Sequence, residues 1–196
     1  MAITNQIAKE MHCKIVYYGP SLGGKTTNLQ WVYQKTSGQG QGELMAFNSN
    51  PERTLFFDFL PLNVGEIHGQ KIRFHLYTVP GQVVYEASRR LVMRNLDAVV
   101  FVADSQLERM DENIENMKNL ERDLEYQGQN IRQIPLVIQY NKRDLPNIAS
   151  VAELRAALNR YNAPDFEATA SIGRGVLETL KTASKSIITT LKGGEL

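Results

Sequence analysis

A glycine-rich segment near the N-terminus has the residue types and spacing of a phosphate-binding loop. Residues 19–26 read GPSLGGKT and fit the pattern G-x-x-x-x-G-K-[ST]. Glycines allow backbone N–H groups to turn towards phosphate oxygens, and the N-terminus of a following helix adds partial positive charge. The segment predicts that Lys25 reaches the β- and γ-phosphates of a nucleotide and that the Thr26 hydroxyl ligates Mg²⁺. The candidate phosphate-binding residues are Gly19, Ser21, Leu22, Gly23, Gly24, Lys25, Thr26 and Thr27.

A second motif, Asn141-Lys142-Arg143-Asp144, has the residue types needed to recognise guanine. A carboxylate at Asp144 can accept hydrogen bonds from guanine N1–H and N2–H₂. Adenine offers neither donor, and an unpaired buried polar group costs about 1–3 kcal/mol. In isolation the motif is equally compatible with an ordinary turn. Its position at the end of a predicted strand, downstream of the phosphate loop, favours a base site formed by Asn141, Lys142 and Asp144.

The elements that must position these motifs alternate between short β-branched runs and longer segments of helical period. This alternation predicts an α/β fold with a mostly parallel six-stranded sheet, one antiparallel edge strand and helices on both faces. Ligands bind outside the carboxyl ends of the strands in such sheets, and both motifs are expected there. The predicted strands cover 13–18, 55–64, 71–79, 98–103, 134–140 and 166–170, and the helices cover 25–35, 84–94, 109–127, 151–161 and a segment from 175.

Composition excludes several classes of protein. The chain has 196 residues and a net charge of +1, so it is expected to form one domain over residues 1–196 and carries no electrostatic signal for nucleic acid. A single cysteine, Cys13, excludes a disulfide framework. Ala2 and a tail without cysteine predict no lipid anchor. The three histidines lack metal-site spacing, and the charges between Glu108 and Glu125 predict a solvated helix face.

Together the two motifs resemble those of the Ras-like small GTPases, over nearly the whole chain. Further segments match in order: Thr54 as the switch I threonine that contacts Mg²⁺ and the γ-phosphate, and 78–82 (TVPGQ) as switch II. The resemblance implies that the Gly81 N–H senses the γ-phosphate and that Gln82 orients the attacking water. It also implies a third base-contacting motif, Thr169-Ala170-Ser171, in which the Ala170 N–H meets guanine O6. GTP or GDP and Mg²⁺ are the expected ligands.

Within that superfamily the chain is most similar to the bacterial MglA-type polarity and gliding-motility GTPases, because of the P-G-Q of switch II and the Arg53-Thr54 pair. This resemblance implies a cytoplasmic switch that partners can recruit to a cell pole, with polarity and motility effectors. It also implies a homodimeric, roadblock-fold activator of the MglB type. Arg53 is then expected to act in cis as an arginine finger, so that Arg53, Gln82 and Lys25 are the candidate catalytic residues.

Three positions depart from the usual pattern. Thr78 stands where most small GTPases have an aspartate that holds a Mg²⁺-bound water, and Asp58 is the nearest substitute in sequence. Ser21 replaces a glycine and crowds the space for an arginine finger, and Ser171 replaces a lysine. A GTP-binding interaction module with little or no turnover therefore stays open as an alternative. A P-loop kinase or ATPase is a second alternative, against which the guanine motif argues.

The expected partner surface contains the strand over 55–64 and both switches. The apolar residues of this strand lie on both of its faces. If the strand is at the edge of the sheet, only one face packs on the core and the other exposes aromatic surface to a roadblock dimer. The competing expectation is that a helix covers both faces. The apolar residues are Leu55, Phe56, Phe57, Phe59, Leu60 and Leu62, and the switch II contacts are Tyr85 and Arg89.

Overall fold

A computed structural model describes residues 3–5, 9–36, 45–47, 57–67, 69–80 and 86–193. These residues form one sheet with helices on both faces. The strands are β1 (Ile3–Asn5), β2 (Glu10–Tyr18), β3 (Met45–Phe47), β4 (Phe57–Ile67), β5 (Gln70–Thr78), β6 (Ala98–Asp104), β7 (Leu136–Asn141) and β8 (Asp165–Glu167). The helices are α1 (Lys25–Thr36), α2 (Glu86–Met93), α3 (Met110–Tyr126), α4 (Val151–Leu158) and α5 (Val176–Gly193).

The predicted six-stranded sheet is confirmed. The order β4-β5-β2-β6-β7-β8 contains five parallel strands and one antiparallel strand, β4. Two three-residue strands that the sequence did not indicate extend it: β1 pairs antiparallel with the start of β2, and β3 pairs antiparallel with β4. Short strands of this kind lack enough residues to show a period of two, so their pairing depends on the neighbouring strand.

The β3–β4 pairing corrects the expectation that the second predicted strand forms the edge of the sheet. Met45 lies opposite Phe59 and Phe47 lies opposite Phe57, so β4 is an interior strand over Phe57–Phe59. Leu60 and Leu62 pack into the core on one face, as expected. On the other face Phe59 is half-buried. Its ring stacks on His75 of β5, with centroids 5.5 Å apart, and contacts Tyr77 at a tilt, with centroids 4.8 Å apart.

Two apolar layers hold the sheet. On one face, α1 and α5 contribute residues such as Leu29, Val32, Val176 and Ile187. On the other face, α2, α3 and α4 pack residues that include Val92, Met93, Leu120, Leu124 and Leu158. Every residue of β6 and β7 is buried, which is the pattern of central parallel strands covered on both sides.

The layered fold brings the carboxyl ends of five strands to one edge of the sheet. β2 leads directly into residues 19–26, and β5 ends at Thr78. β6 ends at Asp104 beside the end of β7, with Asp104 opposite Asn141. β8 ends at Glu167, three residues before the predicted end of this strand at Ala170, and a short 3-10 turn, Ala170–Ile172, follows. The elements therefore deliver both sequence motifs to the same place.

Candidate functional site

The loop 19–26 is shaped by two glycines that tolerate no side chain. Gly19 has φ +135°, and a Cβ there would lie 2.2 Å from the Val102 carbonyl oxygen. Gly24 has φ +99°, and its Cβ would lie 2.1 Å from Asn141 Nδ2. Leu22, between them, also has a positive φ of 61° and is 85% exposed. The loop therefore has the cradle geometry that lets backbone N–H groups approach a phosphate closely.

Lys25 opens α1 and is buried beneath this loop. Its Nζ donates hydrogen bonds to the carbonyl oxygens of Gly19 at 2.8 Å and Pro20 at 2.6 Å. Burial lowers the pKa of Lys25 to about 7, the nearby Asp58 carboxylate opposes that shift, and the positive charges of Arg109 and Arg89 reinforce it. An anion in the loop would favour the charged form of Lys25, so the electrostatics fit a phosphate ligand.

Three oxygen-bearing side chains meet beside Lys25. Thr26 Oγ1 donates to Asp58 Oδ2 at 2.5 Å, and Thr78 Oγ1 donates to the same carboxylate oxygen at 2.9 Å. The backbone N–H of Asp58 donates to Thr78 Oγ1 at 2.8 Å, which fixes β4 against β5 at this point. Hydroxyl and carboxylate oxygens are the ligands that Mg²⁺ prefers in proteins, so this donor set fits the expected metal.

We call residues 19–26 together with Asp58 and Thr78 the phosphate end of the site. We call Asn141, Lys142, Asp144 and residues 169–171 its base end. The structure brings the two ends together through Asn141. Its Nδ2 donates to the Gly23 carbonyl at 2.8 Å, and its Oδ1 accepts from the Ala170 N–H at 2.9 Å. One buried side chain thus holds the phosphate loop, the end of β7 and the loop after β8.

The remaining residues of the base end differ in exposure. Lys142 has a positive φ of 64°, and its Nζ is paired with the buried Asp104 carboxylate at 2.6 Å. Asp144 is exposed. Thr169 is buried and its N–H donates to the Arg174 carbonyl at 3.0 Å, whereas Ser171 is exposed. Lys142 and Thr169 are therefore held by contacts within the protein, whereas the side chain of Asp144 is open to a ligand.

The Ala170 N–H has a partner that sequence reasoning did not foresee. It is predicted to meet guanine O6, and in this structure it donates to Asn141 Oδ1. A base contact through this group would require the hydrogen bond to be shared or exchanged.

Several predicted residues lie outside the described part of the chain. They are Arg53, Thr54, Leu55, Phe56, Gly81, Gln82 and Tyr85. Their predicted roles in switch I and switch II remain predictions.

Arg109, just before α3, is a site residue that sequence reasoning missed. Its Nη2 donates to the Ser21 carbonyl at 2.7 Å, and its Nε lies 3.7 Å from Asp104 Oδ2. It also pairs with Glu112. The sequence placed it on a solvated helix face, and that expectation was wrong for this residue, because the turn before α3 passes over the phosphate loop.

The same expectation was wrong for Asp123, which is only 2% exposed. Its carboxylate accepts from Tyr18 Oη at 2.9 Å and from Arg89 Nε and Arg90 Nε at 3.2 Å each. Arg89 is also 2% exposed, which corrects its assignment to a partner surface. The i, i+3 spacing of Leu120 and Asp123 was the signal that could have placed Asp123 on the buried face.

The described residues also bear on two other kinds of function. No three or more His, Cys, Asp or Glu side chains within them are arranged to hold a metal ion. Among the helices of the described ranges, none is both long and apolar enough to cross a membrane.

Comparison with known proteins gives two kinds of match. The family model described as the ADP-ribosylation factor family matches residues 1–187. The mutual gliding-motility protein MglA of Myxococcus xanthus (strain DK1622) is 56% identical over 194 residues, which are 99% of this chain and 100% of that protein. The human ADP-ribosylation factor-like protein 4A is 31% identical over 147 residues, which are 74% of this chain and 64% of that protein.

Proposed function

The chain belongs to the ADP-ribosylation factor family of small GTPases, and on that premise we propose that it is a guanine-nucleotide-dependent switch that hydrolyses GTP to GDP and phosphate. The observation that carries the proposal is the bridge made by Asn141 between Gly23 and Ala170, at 2.8 and 2.9 Å. It holds a phosphate-binding loop and a guanine motif within the reach of one nucleotide.

In this proposal the nucleotide lies along the edge of the sheet. Backbone N–H groups of residues 19–26 and the α1 N-terminus bind the phosphates, with Lys25 charged against them. Asp144 accepts from the guanine edge, and Lys142 and Thr169 support the base pocket. Residues 1–196 act as a single G domain, which the family match over residues 1–187 supports.

The residues proposed to hold Mg²⁺ are Thr26 and Thr54. Asp58 is proposed to hold the outer waters of the ion, because its carboxylate already accepts from both Thr26 and Thr78. When bound, Mg²⁺ neutralises charge on the transferring phosphoryl group. Thr78 alone cannot supply the negative charge of the usual aspartate, so the acid on the neighbouring strand takes that role.

Hydrolysis is proposed to depend on Gln82, which orients the attacking water, and on Arg53, which acts in cis on the γ-phosphate. An arginine in that role is worth 10³–10⁵ in rate. The MglA resemblance supports slow intrinsic turnover that a roadblock-fold homodimer of the MglB type stimulates. The dimer would engage β4, switch I and switch II, where Phe59 offers a half-buried aromatic face.

The biological role is proposed from the relative. The name of the Myxococcus protein ties it to gliding motility, and its match covers 99% of this chain. We therefore propose that this chain is a cytoplasmic polarity and motility switch that partners recruit to a cell pole.

The decisive experiment is a single-turnover GTP assay with and without a purified roadblock dimer. Parent protein should turn over GTP slowly alone and faster with the dimer, whereas Arg53→Ala and Gln82→Leu should bind GTP normally and show no stimulation. An Arg53→Ala variant that is stimulated like the parent would show that the arginine comes from elsewhere. Tight GTP binding with no turnover under either condition would favour the interaction module.

Hydrogen exchange with and without the dimer tests the partner surface. Protection is expected across residues 54–62 and 82–93. Protection confined to α5 would rule out this surface.

A further inference from the structure

A buried polar trio lies beneath the candidate site, in the apolar layer between the sheet and the α1–α5 face. Asn28 of α1, Gln139 of β7 and Thr179 of α5 are all 0% exposed. Asn28 Nδ2 donates to Gln139 Oε1 at 2.8 Å, and Gln139 Nε2 donates back to Asn28 Oδ1 at 3.0 Å. Gln139 Nε2 also donates to Thr179 Oγ1 at 3.1 Å.

The trio satisfies the amide and hydroxyl groups of its own members. The second Nδ2 hydrogen of Asn28 goes to the Gly24 carbonyl at 2.9 Å, and the Thr179 hydroxyl donates to the Gly175 carbonyl at 2.7 Å. The Gly24 carbonyl accepts from both the backbone N–H and Nδ2 of Asn28. A flipped Asn28 amide would place Oδ1 against that carbonyl oxygen, so the donating orientation is set, and the reciprocal bonds then set that of Gln139. A closed network of this kind is rigid and directional.

Stability alone does not account for polar side chains at these positions. The surrounding residues, which include Leu29, Val137 and Val176, are fully buried and apolar. Replacing a buried polar set by well-packed apolar residues of similar volume is often neutral or stabilising. The feature that an apolar trio would lack is a fixed register between the three elements.

Each of the three elements begins or ends at a segment of the site. α1 begins at Lys25 in the phosphate loop, and Asn28 also holds the Gly24 carbonyl. β7 ends at Asn141, two residues after Gln139, on the same face of the strand. α5 begins at Val176, shortly after residues 169–171, and Thr179 lies in its first turn, where its hydroxyl donates to the carbonyl of Gly175.

We infer that Asn28, Gln139 and Thr179 are positioning residues that lock the phosphate end of the site to its base end and thereby slow nucleotide release. The inference rests on the proposed guanine-nucleotide function. Asn141 joins the two ends directly within the candidate site. The trio joins the same elements in the buried layer between the sheet and helices α1 and α5. With the trio intact, loosening one end requires the other end to move as well.

The test is the double variant Asn28→Leu with Gln139→Met, which replaces both amides by apolar groups of similar shape. Its thermal midpoint should stay close to that of the parent, because no buried amide is left unpaired. Release of fluorescently labelled GDP into excess unlabelled GDP should become about tenfold faster. If the trio serves stability alone, the double variant should keep both the thermal midpoint and the GDP release rate of the parent.

Two further variants keep the test decisive if the double variant folds poorly. Thr179→Val removes the hydrogen bonds of the hydroxyl to Gln139 and to the Gly175 carbonyl. It should speed release about fivefold, at the low end of coupling between sites, whereas Thr179→Ser keeps the hydroxyl and should release like the parent. Leu158→Ala, in α4 on the opposite face, is the matched control. It should lower the midpoint without changing the release rate.

The outcomes separate the two proposals. A parent chain that does not bind labelled GDP would overturn the guanine-nucleotide function, and the inference with it. A parent that binds GDP, with a double variant and Thr179→Val that release it at the parent rate, would overturn the inference alone. Fast release that Leu158→Ala reproduces would show that lost stability is the cause, and would also overturn it.

Discussion

The base end and the phosphate end of the site are stabilised in different ways. At the base end, Asn141 and Lys142 are held by hydrogen bonds and an ion pair within the protein, at 2.6–2.9 Å. At the phosphate end, Lys25 is buried against backbone carbonyls and its pKa is lowered to about 7. The Asp58 carboxylate accepts hydrogen bonds from the hydroxyls of Thr26 and Thr78. The base end is organised by the protein's own groups, whereas the phosphate end has charges that an anion and a cation would complete.

On the proposed function, this difference would allow one site to recognise the base in the same way throughout and still respond to the phosphates. A rigid base pocket discriminates between nucleotides through geometry, since a wrong base leaves fixed polar groups unpaired. At the phosphate end, a bound anion or cation would interact with the charges of Lys25 and Asp58. Adding or removing phosphate or metal therefore changes the free energy of this end of the site.

Gly24→Ala should damage both ends at once. The new Cβ would meet Asn141 Nδ2 at 2.1 Å in a backbone conformation with φ +99°, so the bridge between the ends must break. The free energy of unfolding should fall by more than about 3 kcal/mol, and GDP affinity should fall by at least about 100-fold. Denaturant titration and nucleotide titration measure the two effects.

Gly128→Ala is the matched control for backbone strain. Gly128 has φ +70°, and a Cβ added there would meet no atom within 4 Å, so the substitution should cost only about 1 kcal/mol. If Gly24→Ala costs no more than this control, the close contact with Asn141 is not what shapes the loop.

Asp144→Asn should affect the base end alone. An amide cannot accept both guanine hydrogens, so the preference for GDP over ADP should fall by about 10- to 100-fold. Competition of unlabelled nucleotides against labelled GDP measures this, with the exposed Asp111→Asn in α3 as the charge-matched control. If ATP competes as well as GTP against the parent protein, guanine recognition by Asp144 is refuted.

Asp58→Asn should affect the phosphate end alone. Groups that hold the outer shell of a metal typically contribute 10- to 100-fold to its affinity, so Mg²⁺-dependent GTP binding should weaken about tenfold. Nucleotide binding in EDTA should change little. The measurement is best made at pH 6.5, because Asp58 also favours the charged form of Lys25. Unchanged binding of Mg·GTP would remove Asp58 from the metal site.

Nucleotide binding should take up a proton at Lys25. The free protein has this pKa lowered to about 7, and bound phosphates raise it, so the charged form is favoured in the complex. GDP affinity should therefore be highest below pH 7 and fall about fivefold between pH 7 and pH 8. Calorimetry at pH 8 in two buffers of different ionisation enthalpy measures the uptake directly. Identical heats in both buffers would contradict it.

The parts of the site that depend on local spacing could be predicted from the amino-acid sequence. Residues 19–26 and 141–144 are contiguous motifs, so their chemistry could be inferred without knowing the fold. The alternation of strands and helices also predicted the six-stranded sheet and placed both motifs at its carboxyl edge, because parallel strands share one direction. The strand at this edge of the sheet could not be predicted, because β3 has three residues and therefore no periodic pattern.

Contacts between side chains that are far apart in the sequence became known from the folded structure. Asp58 contacts Thr26 across 32 residues, Arg109 contacts Ser21 across 88, and Gln139 contacts Asn28 across 111. Periodicity assigns a side chain to a face of its own element, but the partner on that face depends on how the elements pack. A charged or amide side chain in a polar segment therefore looks solvated in the sequence. The packing of α1, α3 and α5 against the sheet decides whether it is exposed or forms part of the site.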